Sequence, residues 1–457
     1  MNSYFFATIA LSALYATSFL PCSAQETILD SYIRQGFENN LALKQHELNY
    51  NRSLALLRQS KALFYPNVGF NARFSVADGG RTIDFPVGDL LNPAYSTLNQ
   101  LTQSQKFPQV NNEQIYFLRP TEQQTMLTLE QPLFNGDIWF NYKIRKNLSE
   151  AAFIGIDIYR RELVQEIKTA YYDYLKTVKA LDLFEQTLDV VRENLRVSES
   201  LYANDKVTVD AVYRSRAELS KVERQMAEAE KFHESARAYF NFLLNRSLES
   251  KIEVDIRNIL IDSLLSNVNE SIGLALSHRE ELKQTDAYLS ASENNVRLTK
   301  YNHTPTLGLG VNYGIQGETY EFNDQSDFVI ASLVMQWKLF HGMETRSRIQ
   351  QATIEQQLLK ERYDELQNQI SMQVIDAWYG VQAAAKAVGA ATVQSQSASK
   401  AFEIIRKKYN QGQTSLLEFI NVRTDMTTAD LNLILANYDY EISRAELERA
   451  LATYPIE

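Results

Sequence analysis

Residues 306–315 read Thr-Leu-Gly-Leu-Gly-Val-Asn-Tyr-Gly-Ile. Successive side chains of an extended strand point to opposite faces. Leu307, Leu309, Val311, Tyr313 and Ile315 therefore share one face, and Thr306, Gly308, Gly310, Asn312 and Gly314 the other. A segment of about ten residues, apolar on one side and small or polar on the other, fits a transmembrane β-barrel strand. An ordinary soluble sheet is the competing reading of this stretch taken alone.

The same alternation recurs. Val329, Ala331, Leu333, Met335, Trp337 and Leu339 alternate with Phe328, Ile330, Ser332, Val334, Gln336 and Lys338. Val68, Phe70, Ala72, Phe74 and Val76 alternate with Asn67, Gly69, Asn71, Arg73 and Ser75, and a fourth candidate runs from Thr125 to Leu133. Four strands cannot close a barrel, and an open edge in lipid leaves backbone groups unpaired. If these strands enter a membrane, at least two chains must share one barrel. Phe64, Tyr65, Trp337 and Phe340 flank the strands, as interfacial aromatic belts do.

Outside the strands the chain beats in sevens. Ile167, Tyr174, Leu181, Leu188, Leu195 and Tyr202 form one row; Ile370, Ala377, Ala384, Ala391, Ala398 and Ile405 form another, with Val374, Val381 and Val388 beside it. Phe419, Met426, Leu433, Tyr440 and Leu447 continue the habit. Sustained heptads predict supercoiled helix packing, and the alanines permit close approach. A helix from about Asn141 to Tyr202 would run roughly 90 Å at 1.5 Å per residue, too long for a compact domain.

The chain is also duplicated. Leu43-Lys44-Gln45 and Pro66 match Leu282-Lys283-Gln284 and Pro305 at an offset of 239. Leu133-Phe134-x-Gly136 matches Leu339-Phe340-x-Gly342 at 206, and Tyr202 matches Tyr409 at 207. The fall in offset assigns the first copy a longer strand-to-strand loop, about Ala77 to Gln124. With Pro86, Pro93, Pro108 and Pro120 it reads as exposed irregular chain. The expected organisation is a leader over 1–24, a first repeat over 25–246, an inter-repeat segment over 247–275, a second repeat over 276–451 and a tail over 452–457.

The 457 residues carry a net charge of −10, which argues against a nucleic-acid partner. Residues 1–24 have no charged side chain, and their apolar run ends at Cys22-Ser23-Ala24, which reads as a secretory signal peptide. A membrane anchor and lipidation of Cys22 are the alternatives, although Pro21 is a poor neighbour for a lipidated cysteine. Cys22 is the sole cysteine, so cleavage after Ala24 would leave neither disulfide nor thiol chemistry. His46, His233, His278, His303 and His341 show no metal-ligand spacing, and phosphate-loop, dinucleotide and nucleophile-elbow motifs are missing. No enzyme activity, metal or cofactor is expected. Glu280-Glu281 reads as a dipole-favoured helix start rather than an acid/base pair.

Tyr65-Pro66, Pro132-Leu133-Phe134-Asn135-Gly136, His278-Arg279-Glu280-Glu281-Leu282, Trp337-Lys338-Leu339-Phe340-His341-Gly342 and Tyr409-x-x-Gly412-x-x-Ser415-x-x-Glu418 stand in this order from about Glu26 to Leu451. In this order they resemble the TolC-like outer-membrane efflux proteins. The resemblance implies a mainly α protein with a transmembrane β-barrel, four strands per protomer and twelve in a homotrimer, continuing into a periplasmic α-barrel. It implies a passive outer-membrane exit duct of a tripartite efflux or type I secretion-like system. Its partners would be a periplasmic adaptor, an inner-membrane pump reached through the adaptor, and outer-membrane lipid. Segments near Ser247–Asp262 and the C-terminus would form an equatorial belt.

The resemblance also implies a gate at the helical tips. Tyr409 would bond across to Asp210 on the facing hairpin, Glu418 would be one gate carboxylate, and Asn421 stands where a second acid is often found. Gly412 would permit the turn, and Asp205 takes the place of the glycine expected in the other turn. Thr414 replaces a basic residue, which implies a less charged ring. The residues also allow plainer readings: Asp210 as a helix cap, Tyr409 as a packed heptad residue, Glu418 as a solvated carboxylate. The competing function is an exported coiled-coil scaffold that never enters a membrane.

Overall fold

The computed structural model describes residues 27–254 and 267–456. The leader with Cys22, residues 255–266 of the inter-repeat segment and the last tail residue lie outside the described residues. The elements run α1 (Ile28–Asn39), α2 (Leu41–Ala62), β1 (Asn67–Val76), β2 (Thr82–Phe85), α3 (Val87–Leu101), β3 (Glu113–Tyr116), β4 (Thr121–Phe134), α4 (Gly136–Ala203) and α5 (Val209–Leu243). They continue α6 (Val268–His278), α7 (Glu280–Tyr301), β5 (Thr306–Gly317), β6 (Asp327–Gln336), α8 (Glu344–Asn410) and α9 (Leu416–Leu451). The chain divides into two compact units. One comprises Met1–Tyr50, Ala151–Thr285 and Arg362–Glu457; the other Asn51–Glu150 and Asp286–Glu361.

The second unit holds an antiparallel sheet in the order β1-β4-β5-β6, which contains the alternating stretches except that β6 ends at Gln336, short of Trp337, Lys338 and Leu339. Its register pairs Phe70 with Leu127, Leu129 with Val311 and Leu309 with Leu333, so the apolar residues line up across one face. That face is bare in the single chain: Phe70 is 68% and Val329 67% exposed. On the other face of β5 stand Gly308, Gly310, Asn312 and Gly314. A Cβ at Gly314 would collide with the Thr125 carbonyl oxygen, so only glycine lets β4 and β5 close up there. Pro132, which has no N–H to give, sits where the β4–β5 register shifts. The Asn135 side chain then accepts from the Asp137 amide at 2.9 Å and starts α4, which explains the Leu-Phe-Asn-Gly signature as a strand-to-helix switch.

The long β1–β4 loop departs from the expectation of irregular chain. It contains α3 and the antiparallel hairpin β2–β3. Asparagine side chains stand in for strand pairing: Asn92 donates to the Val110 carbonyl at 2.9 Å and accepts from its amide at 2.8 Å. Asn99 does the same with Phe107, at 2.7 and 3.1 Å. The prolines that read as breakers are accommodated, Pro86 just ahead of α3 and Pro93 within it.

In the first unit the duplication appears in backbone angles. Asn40 separates α1 from α2 with φ −58° and ψ 127°; Arg279, 239 positions later, separates α6 from α7 with φ −58° and ψ 120°. The Asn40 side chain also donates to the Leu243 carbonyl at the end of α5 at 2.9 Å and accepts from the Leu43 amide in the first turn of α2 at 2.9 Å, so it serves the ends of two different helices. Around it Ile33, Leu43, Leu163, Ile167, Phe240 and Leu244 form a core, with Tyr32 edge-on to Phe240 at 5.0 Å. Along α8 the buried row is Val374, Val381, Val388, Ser395, Phe402 and Tyr409, one heptad apart throughout, and the alanine row lies beside it.

Candidate functional site

Two helical hairpins, α4–α5 and α8–α9, end in turns built alike. Asp205 has φ +59° and Gly412 φ +72°. In the first, the Asp205 amide donates to Tyr202 at 3.0 Å and the Lys206 amide to Leu201 at 2.9 Å. In the second, Gly412 donates to Tyr409 and Gln413 to Lys408, both at 2.9 Å. This left-handed helix ending satisfies otherwise orphaned carbonyls and favours glycine. Asp205 holds the glycine conformation at a steric cost. Asp205→Gly is therefore expected to stabilise the first turn by about 0.5–1 kcal/mol, and Gly412→Ala to destabilise the second by about 1 kcal/mol. Amide hydrogen exchange over residues 200–212 and 408–416 measures both. Unchanged exchange in both variants would contradict the argument.

Behind the turns the hairpins are tied by buried polar groups. The Tyr409 hydroxyl, buried against Phe402 and Phe419, lies 3.3 Å from Ser198 Oγ. Ser198 Oγ is 2.9 Å from Ser215 Oγ, and Asn194 Nδ2 donates to that oxygen at 3.4 Å. Deeper in, the Arg423 guanidinium donates to the Glu218 carboxylate with both side chains nearly enclosed. Burial pulls the Arg423 pKa below its usual value, and the Glu218 charge opposes that. Thr187–Thr427 (3.5 Å), Lys176–Asp439 (2.6 Å) and Lys168–Glu448 carry the ties along α4 and α9.

The gate candidates fall as follows. Asp210 is exposed in the first turn of α5. The Thr208 hydroxyl donates to it and Arg214 lies 3.4 Å away; together they hold its carboxyl below the usual range. Within one chain, then, Tyr409 meets Ser198, and Asp210 meets Thr208 and Arg214. Glu418 is exposed, accepts from Thr414 Oγ1, and its amide donates to the Ser415 side chain that caps α9. Asn421 is exposed one turn later. The Glu218–Arg423 pair was not legible. Its partners lie 205 positions apart, and each resembles any solvated helix charge until the hairpins pack.

A second charged cluster gathers at the start of α7, where Glu280 and Glu281 occupy the first turn. Arg161 grips Glu280 with two 2.7 Å hydrogen bonds and donates to the Tyr454 carbonyl at 2.8 Å. Arg279 and Arg449 converge on Glu281, Arg449 at 2.7 Å. The pair is thus also a structural hub between α4, α7 and α9. Among the described residues no group of acidic, histidine or cysteine side chains could hold a metal ion.

The sequence pattern of the family described as outer membrane efflux protein matches residues 271–453. Outer membrane protein TolC of Escherichia coli (strain K12) is 17% identical over 455 residues, covering 97% of this chain and 85% of that protein. The fold matches that of a membrane protein from Pseudomonas aeruginosa with a TM-score of 0.76 at 16% identity, covering 93% of each chain. It also matches the open state of the Neisseria gonorrhoeae MtrE outer membrane channel with a TM-score of 0.75 at 15% identity, covering 93% of this chain and 88% of that one. A mainly helical chain with this sheet and these long hairpins thus shares the fold of solved outer membrane channels, and its second half carries the pattern described as outer membrane efflux protein.

Proposed function

We propose that the chain is a protomer of a passive exit duct, its sheet in the outer membrane and its long helices in the periplasm. The observation that carries this reading is the four-stranded sheet with a bare apolar face and, among the described residues, an unpaired edge on both β1 and β6. In lipid those edges must be paired, and further copies supply the pairing. Three copies would give the twelve strands of a small barrel. Cargo would pass from an inner-membrane pump through a periplasmic adaptor docked on the helical hairpins. No helix among the described residues is long and apolar enough to cross a membrane.

The hairpin tips would close the inner end. Glu418 and Asn421 would line it from α9, Gly412 would shape the turn, and Asp210 and Tyr409 would hold neighbouring hairpins together. The test is conductance of the purified oligomer in a planar bilayer. Discrete steps are expected from the parent protein, and a several-fold larger step or open probability from the Asp210→Ala/Tyr409→Phe double variant. A variant that conducts as the parent does would remove those two residues from the gate. A folded oligomer that stays silent in parent and variant alike would remove the duct.

A further inference from the structure

Helix α3 is amphipathic the wrong way round. Gly88, Asn92, Tyr95 and Asn99 recur at helical spacing on one side. That side is the one fixed within the loop. A Cβ at Gly88 would collide with the Val110 carbonyl, Asn92 and Asn99 clasp the returning backbone, and Tyr95 packs on Phe107 at 5.8 Å. Leu90, Ala94, Leu98 and Leu101 run along the opposite side, with Leu90 69% and Leu101 76% exposed. A helix that spends its polar side on the fold and leaves leucines in the open is built to be covered by something else. The adjoining hairpin adds Ile83, Phe85, Ile115 and Tyr116, all exposed.

We propose that this loop is a self-recognition module, in which the leucine side of α3 docks on the same loop of a second copy of this chain. Two observations choose that occupant. The loop leaves the sheet from β1, an outer strand whose free edge would meet the next copy, so the loop begins beside the seam between copies. The alternative cover is the lipid surface. Helices that lie on membranes carry Lys and Arg on their polar side, whereas the only charged residue of α3 is Asp89. Over residues 77–120 acidic side chains outnumber basic ones, four to three, which suits an anionic lipid surface poorly. The docked loops would form a cap over the outer mouth of the barrel. The inference rests on the exit-duct reading for the placement of that mouth.

The test uses single cysteines in the full chain, whose only native cysteine is Cys22. Leu98→Cys and Leu101→Cys lie on the leucine side; Ser96→Cys lies on a different side of the helix and serves as control. Intact cells are treated with a bifunctional maleimide, and each variant is also assayed for conductance. Covalent dimers are expected from Leu98→Cys and Leu101→Cys and not from Ser96→Cys or the parent. Two results overturn the proposal while leaving the duct intact. One is a conducting Leu98→Cys or Leu101→Cys variant that stays monomeric and reacts with a membrane-impermeant maleimide. The other is a conducting variant whose fluorophore at either position is quenched by brominated lipid. A parent chain that neither conducts nor fractionates with the outer membrane overturns both readings.

Discussion

Arg423→Ala is expected to cost about 3–5 kcal/mol, because it leaves the Glu218 carboxylate enclosed between α5 and α9 without its partner. Arg423 is 3% exposed, so water cannot reach the site to replace the guanidinium. Lys221, with its nitrogen 3.7 Å from the same carboxylate, is far more exposed and recovers part of the loss. The cost of the single substitution overstates the worth of the pair, since desolvating two charges nearly cancels their attraction. The double variant Arg423→Met/Glu218→Leu, which fills the same volume with apolar atoms, is therefore expected to lie close to the parent. Denaturant midpoints of the purified protein measure both. A single variant as stable as the parent would show that the pair is solvated and unimportant. The same substitution cuts a tie between the two hairpins of one chain. It should accelerate hydrogen exchange in the first turns of α9 before it unfolds anything else.

The second large effect is acid lability. Burial would raise the pKa of Glu281, but hydrogen bonds from Arg279 and the charge of Arg449 outweigh it and bring the value from 4.5 to about 2. A depressed carboxyl pKa stabilises the fold at pH above its unfolded value. That contribution fades as the pH falls from about 4.5 toward about 2. A shift of this size corresponds to about 3 kcal/mol at neutral pH. Glu166, Glu441 and Glu446 are shifted upward, chiefly by burial, and act with the opposite sign. The comparison that isolates Glu281 is with Glu281→Gln. The variant should be less stable than the parent at pH 7, and the gap should close by pH 2. A gap that does not change with pH would mean that Glu281 contributes shape rather than charge.

Much of this fold lies open in the residues, because its signals are periodic. Alternation over ten positions placed Val68–Val76 and Leu307–Ile315 on strands, and the seven-residue beat found the buried row of α8 through Val374, Val381 and Val388. The duplication was legible as identities at fixed offsets, and it runs deeper than identities. Asn245 and Ala452, 207 positions apart, end α5 and α9 with φ +49° and +56° while sharing no side-chain chemistry. Three features stayed hidden for separate physical reasons. Helix α3 was masked by its prolines, since what holds it is asparagine side chains bonding to backbone eight to eighteen positions away. Tyr409 was legible as a packed heptad residue, but its partner Ser198 lies 211 positions off and has no pattern of its own. The Glu218–Arg423 tie follows only from which helices become neighbours.

In a duct of the kind proposed, the two free edges of the sheet would also set the order of events during biogenesis. A lone copy carries rows of unpaired N–H and C=O groups on β1 and β6, and hydrocarbon charges several kcal/mol for each one left bare. On the exit-duct reading, single copies would therefore wait in water, and insertion would coincide with encounter. The rate of insertion then rises more steeply than in proportion to the concentration of newly exported chains. At low expression the limiting step is the meeting of copies rather than the folding of any one of them. Until that meeting the exposed edges are templates for wrong partners, so the waiting chain is the stage most open to proteolysis and aggregation.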